Sequence, residues 1–446
     1  MENEDIGLNV PNILLPAKGV DLRKWAVVAC DQYTSQPKYW ESLKNLVEGG
    51  PSTLNIVFPE VYLEVGGGQE RIESINGTMD AYLEEGVLED LGPGFVLLDR
   101  KTSQVVSRKG LVVALDLEKY DYKIGSQSLI RATEGTIENR LPPRVKIRKS
   151  AKIELPHIMV LIDDPDRTVI EPLFEKELES LYDFELNNGG GHLKGWRVDS
   201  KEDIESVCES LGLLSEQTVF DQKYGVSGKG VLVFAMGDGN HSLATAKNIW
   251  EDLKSQADYP SDVMDHPARY ALVELVNVHD EGLEFEPIHR VIFNIDVEDL
   301  LKGLEAFFGE EGSSMALEKL ETFEAVEDRI ANLGESDQEH RIAFVARSGF
   351  GLIRLSNPKR NLEVGNLQAF IDNFVEGKES VVDYIHGDDV VIDLGSKPGN
   401  IGFFLPTIGK SDLFKTVVLD GALPRKTFSM GEADEKRYYL EARRIQ

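Results

Sequence analysis

The chain alternates between short continuous apolar runs and longer stretches in which apolar residues recur at helical spacing. Short runs bounded by turn residues predict buried strands, and apolar residues three or four positions apart predict amphipathic helices. The strands predicted in this way lie at 24–31, 61–65, 95–99, 104–107, 111–117, 158–162, 231–236, 271–278, 285–293, 341–346, 351–355, 382–385 and 400–405. The predicted helices lie at 38–47, 69–84, 170–182, 201–211, 243–254, 298–308 and 316–332, and two more begin at Arg144 and Asp434.

This order of elements indicates a mixed α/β or α+β fold, in which mixed sheets are flanked by helices. At 446 residues the chain exceeds the size at which one hydrophobic core usually stops growing, so more than one unit is expected. The pattern becomes more helical from Val297, which places a boundary near Asp296. We expect a main α/β unit over 1–296 that carries the candidate site, and a C-terminal α+β unit over 297–446 that packs on it.

The charge balance argues against two classes of partner. The chain has 78 acidic and 48 basic side chains, and the resulting formal net charge of -30 repels nucleic acid and anionic membranes. Two cysteines are too few for a disulfide framework, and no apolar run is long enough to span a bilayer. We therefore expect a cytoplasmic protein that binds neither nucleic acid nor membrane. The pattern leaves its oligomeric state open.

The turn over 237–242 is the first candidate site, because a predicted strand, two glycines and a predicted helix start coincide there. Glycine permits a sharp turn, and unpaired N–H groups at the start of a helix attract a phosphate or carboxylate. Gly239, Asn240 and Ser242 are the expected anion-binding residues. Asp238 and His241 are the expected catalytic residues, since one accepts hydrogen bonds and the other titrates near neutral pH. Alternatively, Asp238 or Asn240 only caps the helix, and His241 makes a surface hydrogen bond.

A basic stretch over 131–152 is the second candidate. Arg131, Arg140 and Arg144 could surround a phosphate, because the planar guanidinium group donates paired hydrogen bonds to its oxygens. Glu134 lies among them as a candidate base or metal ligand. The alternative is a solvated basic face that balances an acidic surface.

Three further segments combine histidine with glycine or with charged residues. The loop over 187–196 carries three glycines and His192, which favours close approach to a ligand or a mobile lid, although a flexible connector explains it as well. His386 and Asp388 at a predicted strand end would suit a divalent ion that bridges phosphates. His289 and Arg290 could reach a cleft, but a histidine beside an apolar strand is more often structural.

Several motifs together resemble the prokaryotic domain-of-unknown-function family numbered 1015, over about 24–430. They comprise Asp238, Gly239, Asn240 and His241; Ile130, Arg131, Glu134 and Thr136; Gly282, Leu283, Pro287, His289 and Arg290; and Pro424 and Lys426. The usual family loop reads Asp-Gly-His-His-Arg-Tyr, so Asn240 and Ser242 replace its first histidine and its arginine. Thr133 likewise stands where the family has a histidine. The family has no settled activity, so the resemblance implies no particular reaction.

The same loop is similar to the Asp-Gly-x-His-Arg motif of the ParB and sulfiredoxin superfamily, which includes nucleotide hydrolases and a free serine kinase. This similarity covers one motif, and it implies a strand-loop-helix core that binds phosphate at the helix start. Ser242 stands where those proteins have a phosphate-binding arginine. Another cation, such as Arg131, Arg140 or Arg144, would have to replace it.

These observations favour a small-molecule enzyme that acts on a phosphorylated or nucleotide substrate, such as a kinase or phosphotransferase. Asp238 or His241 would act as the base, and Glu134 or Asp388 would hold magnesium. Arg131 and Lys426 would neutralise the developing charge. Magnesium and a nucleotide are the expected cofactors, and the expected partner is a small anionic ligand. The alternatives are a non-catalytic metabolite-binding or regulatory protein and, less favoured, a phosphate-ester hydrolase.

Overall fold

The chain divides into two units. The computed structural model describes residues 2, 3, 5–334, 336 and 338–446. Unit 1 contains the residues up to Leu283 together with Gly431–Gln446, and unit 2 is Glu284–Met430. The division after Leu283 lies earlier than the expected boundary near Asp296. In addition, the last segment belongs to unit 1 rather than to the C-terminal unit in which we expected it.

The helices are amphipathic in most cases, and several begin at a side-chain cap. Ser200, Asp296 and Thr322, for example, accept hydrogen bonds from the first turns of their helices. The α-helices are α1 (Leu22–Trp25), α2 (Pro37–Val47), α3 (Gly68–Glu84), α4 (Leu141–Arg148), α5 (Lys201–Leu214), α6 (Gln217–Tyr224), α7 (Asn240–Gln256), α8 (Val297–Glu310), α9 (Phe323–Leu333), α10 (Glu363–Val375), α11 (Asp388–Gly395) and α12 (Lys410–Asp420).

Unit 1 is built on one large mixed sheet. The strands of unit 1 that precede unit 2 are β1 (Glu2–Asn3), β2 (Leu8–Asn9), β3 (Asn12–Pro16), β4 (Leu88–Pro93), β5 (Phe95–Lys101), β6 (Arg108–Asp116), β7 (Tyr120–Asp121), β8 (Ile130–Arg131), β9 (Ile153–Glu154), β10 (Met159–Ile162), β11 (Glu179–Glu185), β12 (His192–Val198), β13 (Phe234–Asp238) and β14 (Tyr270–Asn277). Of these, β3 and β4 form a separate pair, and β9 also lies outside the large sheet. The order of the main sheet is β11-β12-β5-β6-β14-β10-β13-β8-β7, with β2 also paired to β6. Pairs β10–β14, β13–β8 and β7–β8 are parallel, whereas the other neighbours are antiparallel. The predicted mixed fold with flanking helices is therefore confirmed.

Both faces of this sheet are buried, which explains the continuous apolar runs of its central strands. Along β14, Ala271 and Val273 contribute to one core cluster, and Leu272 between them contributes to the cluster on the opposite face. The second cluster also contains Tyr438 and Tyr439, which come from the segment after unit 2. That segment therefore forms part of the core of unit 1.

Unit 2 contains its own antiparallel sheet. The strands of unit 2 are β15 (Glu286–Pro287), β16 (His289–Phe293), β17 (Ser314–Leu320), β18 (Glu339–Ala346), β19 (Gly349–Ser356), β20 (Val381–Ile385), β21 (Ile401–Phe404) and β22 (Phe428–Ser429). The order is β17-β19-β18-β21-β16-β20, and β15 pairs with β22. The predicted hairpin over 341–355 is confirmed as β18 and β19. After unit 2, β23 (Arg443–Arg444) pairs with β9 in unit 1.

One predicted helix is wrong and another is right only in its second half, because strand pairing overrides their helical spacing. The stretch 170–182 forms a 3-10 turn, Glu171–Glu175, and then enters β11, which pairs along β12. The stretch 316–332 is divided between β17, which pairs with β19, and α9. Thr322 marks the division, because its hydroxyl accepts the Ala325 N–H at 3.1 Å and so caps α9.

Other local predictions are also wrong. The segment from Asp434 makes a single 3-10 turn and then runs extended, because consecutive residues from Tyr438 to Leu440 are all buried and leave no polar helical face. The predicted strand 24–31 begins as α1 and continues as extended chain, where Val28 bridges to Tyr438. The predicted strands 61–65 and 104–107 are a 3-10 turn and a connection between strands. Among the helices that the structure describes, none is long and apolar enough to cross a membrane.

Candidate functional site

The turn between β13 and α7 is built around Gly239, as the sequence predicts. Gly239 has a φ of 82°, which favours glycine, and a Cβ there would lie 3.1 Å from the Ile158 Cα. The Asp238 carboxylate accepts the Gly239 N–H at 2.8 Å. The amides of Ser242 and Leu243 donate to the Gly239 carbonyl, at 2.9 and 3.1 Å. The N–H groups of Asn240 and His241 lie before the first of these bonds, so no carbonyl of the helix can accept hydrogen bonds from them.

Two buried polar atoms beside this turn have no hydrogen-bond partner among the residues that the structure describes. They are Nε2 of His241 and Oδ1 of Asn240. A buried polar atom without a partner is costly, and a ligand is one way to satisfy it. Asp238, by contrast, is held by Lys436, whose Nζ lies 3.3 Å from a carboxylate oxygen. The turn is thus fixed on one side and open for hydrogen bonding on the other.

His241 is electrostatically tuned toward its neutral form. Burial lowers the pKa of His241, the positive charges of Arg144 and Arg140 lower it further, and Asp31 opposes them. At neutral pH the imidazole is therefore uncharged and able to accept a proton. This fits the role of base that the sequence predicts, and it places Asp31 in the same group of charges.

Replacing Arg140, which is exposed, should raise the pKa of His241. The Arg140→Gln change removes a positive charge that disfavours the imidazolium ion, so the imidazole should become easier to protonate. NMR titration of the imidazole resonances checks this, with a His241→Gln variant to assign the signal. The Arg167→Gln variant, which changes another exposed arginine, should leave the titration unchanged; an equal shift in both variants would contradict the assignment.

A chain of hydrogen bonds at the first turn of α7 links three residues that the sequence does not connect. Ser242 Oγ lies 2.8 Å from His157 Nε2, and His157 Nδ1 lies 2.8 Å from the Tyr439 hydroxyl. The Cys30 N–H donates to that hydroxyl at 3.1 Å, and the Asp31 carboxylate lies 4.0 Å from His157 Nε2. The Ser242 hydroxyl therefore contacts the imidazole of His157, whose other nitrogen is hydrogen-bonded to Tyr439.

These residues border a cavity of about 150 Å³ whose walls are largely aliphatic. The lining includes Ile56, Phe58, Leu63, Ile75, Met79 and Leu272, together with Ser242, His157, Tyr439 and Cys30. The two arginines of the lining are both paired. Arg144 binds Glu60 through two bonds of 2.8 and 2.5 Å, and Arg148 binds Glu154 at 2.5 Å. The cavity therefore offers little uncompensated positive charge.

Arg131 has a structural environment rather than the anion-binding one that we predicted. Its guanidinium is buried and donates to the carbonyls of Ser128, Gly230 and Val231. Burial lowers its pKa to about 10. Its donors are directed at backbone carbonyls because β8 lies beside β13, and that pairing also brings the half-buried Glu134 to the same edge.

The profile of the family described as "Protein of unknown function (DUF1015)" matches residues 14–374 of the chain. The chain belongs to the DUF1015 family. The match contains the β13–α7 turn, Arg140, Arg144 and His157. Tyr439 and Lys436 lie beyond it, so the DUF1015 match does not cover the whole candidate site.

Three solved structures have some similarity to this DUF1015 chain. A mutant of a free serine kinase in complex with AMP is 12% identical with a TM-score of 0.38, and the alignment covers 78% of this chain and 95% of that chain. A conserved hypothetical protein from Pyrococcus furiosus is 12% identical (TM-score 0.33, 74% and 90% covered). SbnI with a C-terminal truncation from Staphylococcus aureus is 10% identical (TM-score 0.31, 72% and 82% covered). No curated protein matches the chain.

His192 lies away from the start of α7 in this member of the family. It opens β12, which β5, β6, β14 and β10 separate from β13. Its ring nitrogens contact Glu185 at 2.8 Å and Asp183 at 2.6 Å. The glycines before it form a tight connection from β11, because a Cβ at Gly191 would lie 2.0 Å from a backbone oxygen of Lys101. The second half of the predicted ligand loop, 192–196, is therefore part of a strand.

The remaining predicted residues lie in unit 2. His289 Nε2 is 3.0 Å from Asp388, and its Nδ1 accepts the Leu405 N–H at 3.0 Å. Arg290 is buried, and its guanidinium donates to Gln368 and to backbone carbonyls. Lys426 and His386 are exposed. No group of three or more metal-ligating side chains occurs within the described part of the chain, so the metal site predicted at His386 and Asp388 gains no support.

His157 and Tyr439 are the site residues that sequence reasoning missed. His157 lies two positions before the first residue of β10, whose antiparallel pairing puts Met159 opposite Asp238 and so brings His157 to the end of β13. Asp31 gave a signal, since the apolar run 24–31 ends at this carboxylate. No sequence pattern indicated Tyr439, because it lies 197 positions beyond Ser242. It reaches the site only because the chain returns to unit 1.

Proposed function

We propose that unit 1 binds the phosphate of a small phosphorylated or nucleotide substrate at the start of α7, and that it acts as a phosphotransferase of the kinase type. The observation that carries this proposal is the buried Nε2 of His241, which has no partner among the described residues and lies beside the first amides of α7. The N–H groups and the positive dipole end of a helix stabilise a bound anion.

The roles follow from the surroundings of each residue. The amides of Asn240 and His241 bind phosphate oxygens, and Arg140 adds an exposed positive charge nearby. Neutral His241 accepts the proton of the attacking hydroxyl group, and Asp31 stabilises the imidazolium that forms. Asp238, held by Lys436 and by the Gly239 N–H, fixes the shape of the turn. Glu134 is a further candidate carboxylate at this edge of the sheet.

A magnesium ion at this site would not need a complete set of protein ligands. In phosphoryl transfer the ion is bound mainly by the substrate phosphates and water, with one or two carboxylates. Glu134 is the carboxylate of unit 1 that could contribute here. The nucleotide would then bring the ion with it.

Nucleotide binding and turnover test the proposal directly. Wild-type protein should melt at higher temperature in the presence of ATP or ADP with magnesium, and a panel of small alcohols and amino acids should yield a phosphorylated product detectable by mass spectrometry. The Arg140→Gln change should weaken nucleotide binding about fivefold, equivalent to about 1 kcal/mol. The His241→Gln change should lower turnover by at least about 100-fold while nucleotide still binds.

The Arg167→Gln variant is the matched control, since it removes an exposed arginine elsewhere in unit 1 and should leave both measurements unchanged. Absence of any nucleotide-induced stabilisation, at any magnesium concentration, would refute the proposal. Stabilisation without a product from any acceptor would instead favour a nucleotide-binding protein that does no chemistry.

A further inference from the structure

The contact between Ser242 and His157 suits a second kind of chemistry, activation of a serine nucleophile. This chemistry does not depend on phosphate binding at His241. Ser242 lies in the first turn of α7, and its hydroxyl is 2.8 Å from an imidazole nitrogen. A serine hydroxyl becomes a competent nucleophile when a base within hydrogen-bond distance removes its proton and a third group orients that base. Here the third group is the Tyr439 hydroxyl, 2.8 Å from the other ring nitrogen.

The surroundings of Tyr439 favour the tautomer that such a base needs. Burial raises the pKa of the Tyr439 hydroxyl, so the group stays protonated, and it also hydrogen bonds with the Cys30 thiol. When its proton is directed to the Cys30 sulfur, the Tyr439 oxygen can accept from Nδ1–H of His157. Nε2 of His157 is then free to accept the Ser242 proton.

The lining of the cavity beside Ser242 and His157 indicates which kind of group could be transferred. Its walls are mainly aliphatic, and its arginines, Arg144 and Arg148, are each bound to a carboxylate. An uncharged acyl group suits this environment better than a phosphoryl group, which needs uncompensated positive charge. An apolar cavity of about 150 Å³ in another protein accepts benzene, which sets the scale at about six carbon atoms.

We propose that Ser242 is the nucleophile of a second activity, the hydrolysis of esters with short uncharged acyl chains, with His157 as general base and Tyr439 as its positioning residue. Ser242 Oγ bonds to the ester carbonyl carbon while its proton passes to His157 Nε2. The C–O bond to the alcohol breaks, and the leaving alcohol takes that proton. Water then attacks the acyl-serine and gives a proton to His157. The bond between the acyl carbon and Ser242 Oγ breaks, Ser242 takes that proton back from His157, and the acid is released, so that ester and water yield acid and alcohol.

The charges that develop in these steps are stabilised by groups already described. Negative charge on the carbonyl oxygen arises within the first turn of α7, where the helix dipole favours it. The imidazolium of His157 forms 4.0 Å from the Asp31 carboxylate, which stabilises its positive charge.

Labelling with an alkyl fluorophosphonate and hydrolysis of p-nitrophenyl esters test this proposal. The probe should add one adduct to the wild-type chain, mapped to Ser242, and the butyrate ester should be cleaved faster than the octanoate. Ser242→Ala should abolish both signals, His157→Gln should lower the hydrolysis rate about 100-fold, and Tyr439→Phe should lower kcat with little change in KM. Ser255→Ala, which changes an exposed serine on the same helix, should keep full activity.

Melting curves of the variants separate loss of activity from loss of folding. Equal labelling of the wild-type and Ser242→Ala proteins, or no labelling of a wild-type protein that melts cooperatively, would overturn the proposal. Arg167→Gln, which changes an exposed arginine without a role in either site, should retain full labelling. Labelling is measured without nucleotide and nucleotide binding without an ester, so either proposal can fail alone.

Discussion

An Arg437→Met variant should lose about 3–5 kcal/mol of the free energy of unfolding of unit 1. Arg437 is buried, and its guanidinium binds Glu274, Glu441 at 2.5 Å and the Pro156 carbonyl at 2.9 Å. Removing the cation leaves two buried carboxylates with one less partner each, which is far more costly than losing an exposed pair. Denaturant unfolding followed by tryptophan fluorescence measures this loss, because all four tryptophans of the chain lie in unit 1.

The dependence of this loss on pH identifies its origin. Despite its burial, Glu274 has a pKa below the ordinary 4.5, because the arginines around it, with Arg437 foremost, favour its charged form. The stabilisation is therefore present above about pH 4.5 and is lost as the pH falls through the lowered pKa, so the difference between wild type and variant should narrow in acid. Lys201→Met, which removes an exposed pair with Glu205, should cost less than about 1 kcal/mol. An equal loss in both variants would show that buried charge is not the cause.

A Gly239→Ala variant should destabilise unit 1 by about 2–3 kcal/mol and also weaken anion binding at α7. The left-handed backbone conformation alone costs a residue with a Cβ about 1–2 kcal/mol. The new Cβ would also press on Ile158 at 3.1 Å and displace the turn that aims the amides of Asn240 and His241. Denaturant unfolding and nucleotide-induced thermal shift measure the two effects.

Gly225 offers the matched control for this change. It also has a positive φ, 66°, at the end of α6, but a Cβ there has no atom within 4 Å. Gly225→Ala should therefore show the conformational cost alone, about 1–2 kcal/mol, with anion binding intact. If both variants lose the same stability and both still bind nucleotide, the close approach of the turn to Ile158 has no functional role.

The part of the site that could be predicted from the sequence is the part that is local in the chain. The glycines, the apolar run before Asp238 and the helical spacing after Ser242 are neighbours, so their geometry follows from residues within one turn. His157 could not be predicted as a site residue, because its position depends on the antiparallel pairing of β10 with β13. The apolar sequences of these two strands do not show that they pair. The prediction for Arg131 was wrong for a related reason. The sequence does not show whether a guanidinium group donates to a ligand or to backbone carbonyls.

The same reasoning explains how much of the fold could be foreseen. Strands such as β6 and β14 are buried on both faces, so their apolar runs are unambiguous. Strands at the edge of a sheet, such as β11 and β17, carry mixed patterns that also fit helices, and only their neighbours along the sheet decide between the two. The division into units was misplaced because composition does not reveal that a chain leaves a core and later returns to it.

The return of Gly431–Gln446 to unit 1 has a consequence for how the protein is made. Ribosomes synthesise Lys436, Arg437 and Tyr439 only after all of unit 2 has been translated. Until then, the nascent unit 1 lacks the counter-ion of Glu274 and part of its apolar core, so we expect it to persist as an incomplete intermediate that depends on chaperones. Synthesis of Gly431–Gln446, rather than emergence of the segment that ends at Leu283, would be the event that completes both the core and the residues around Ser242.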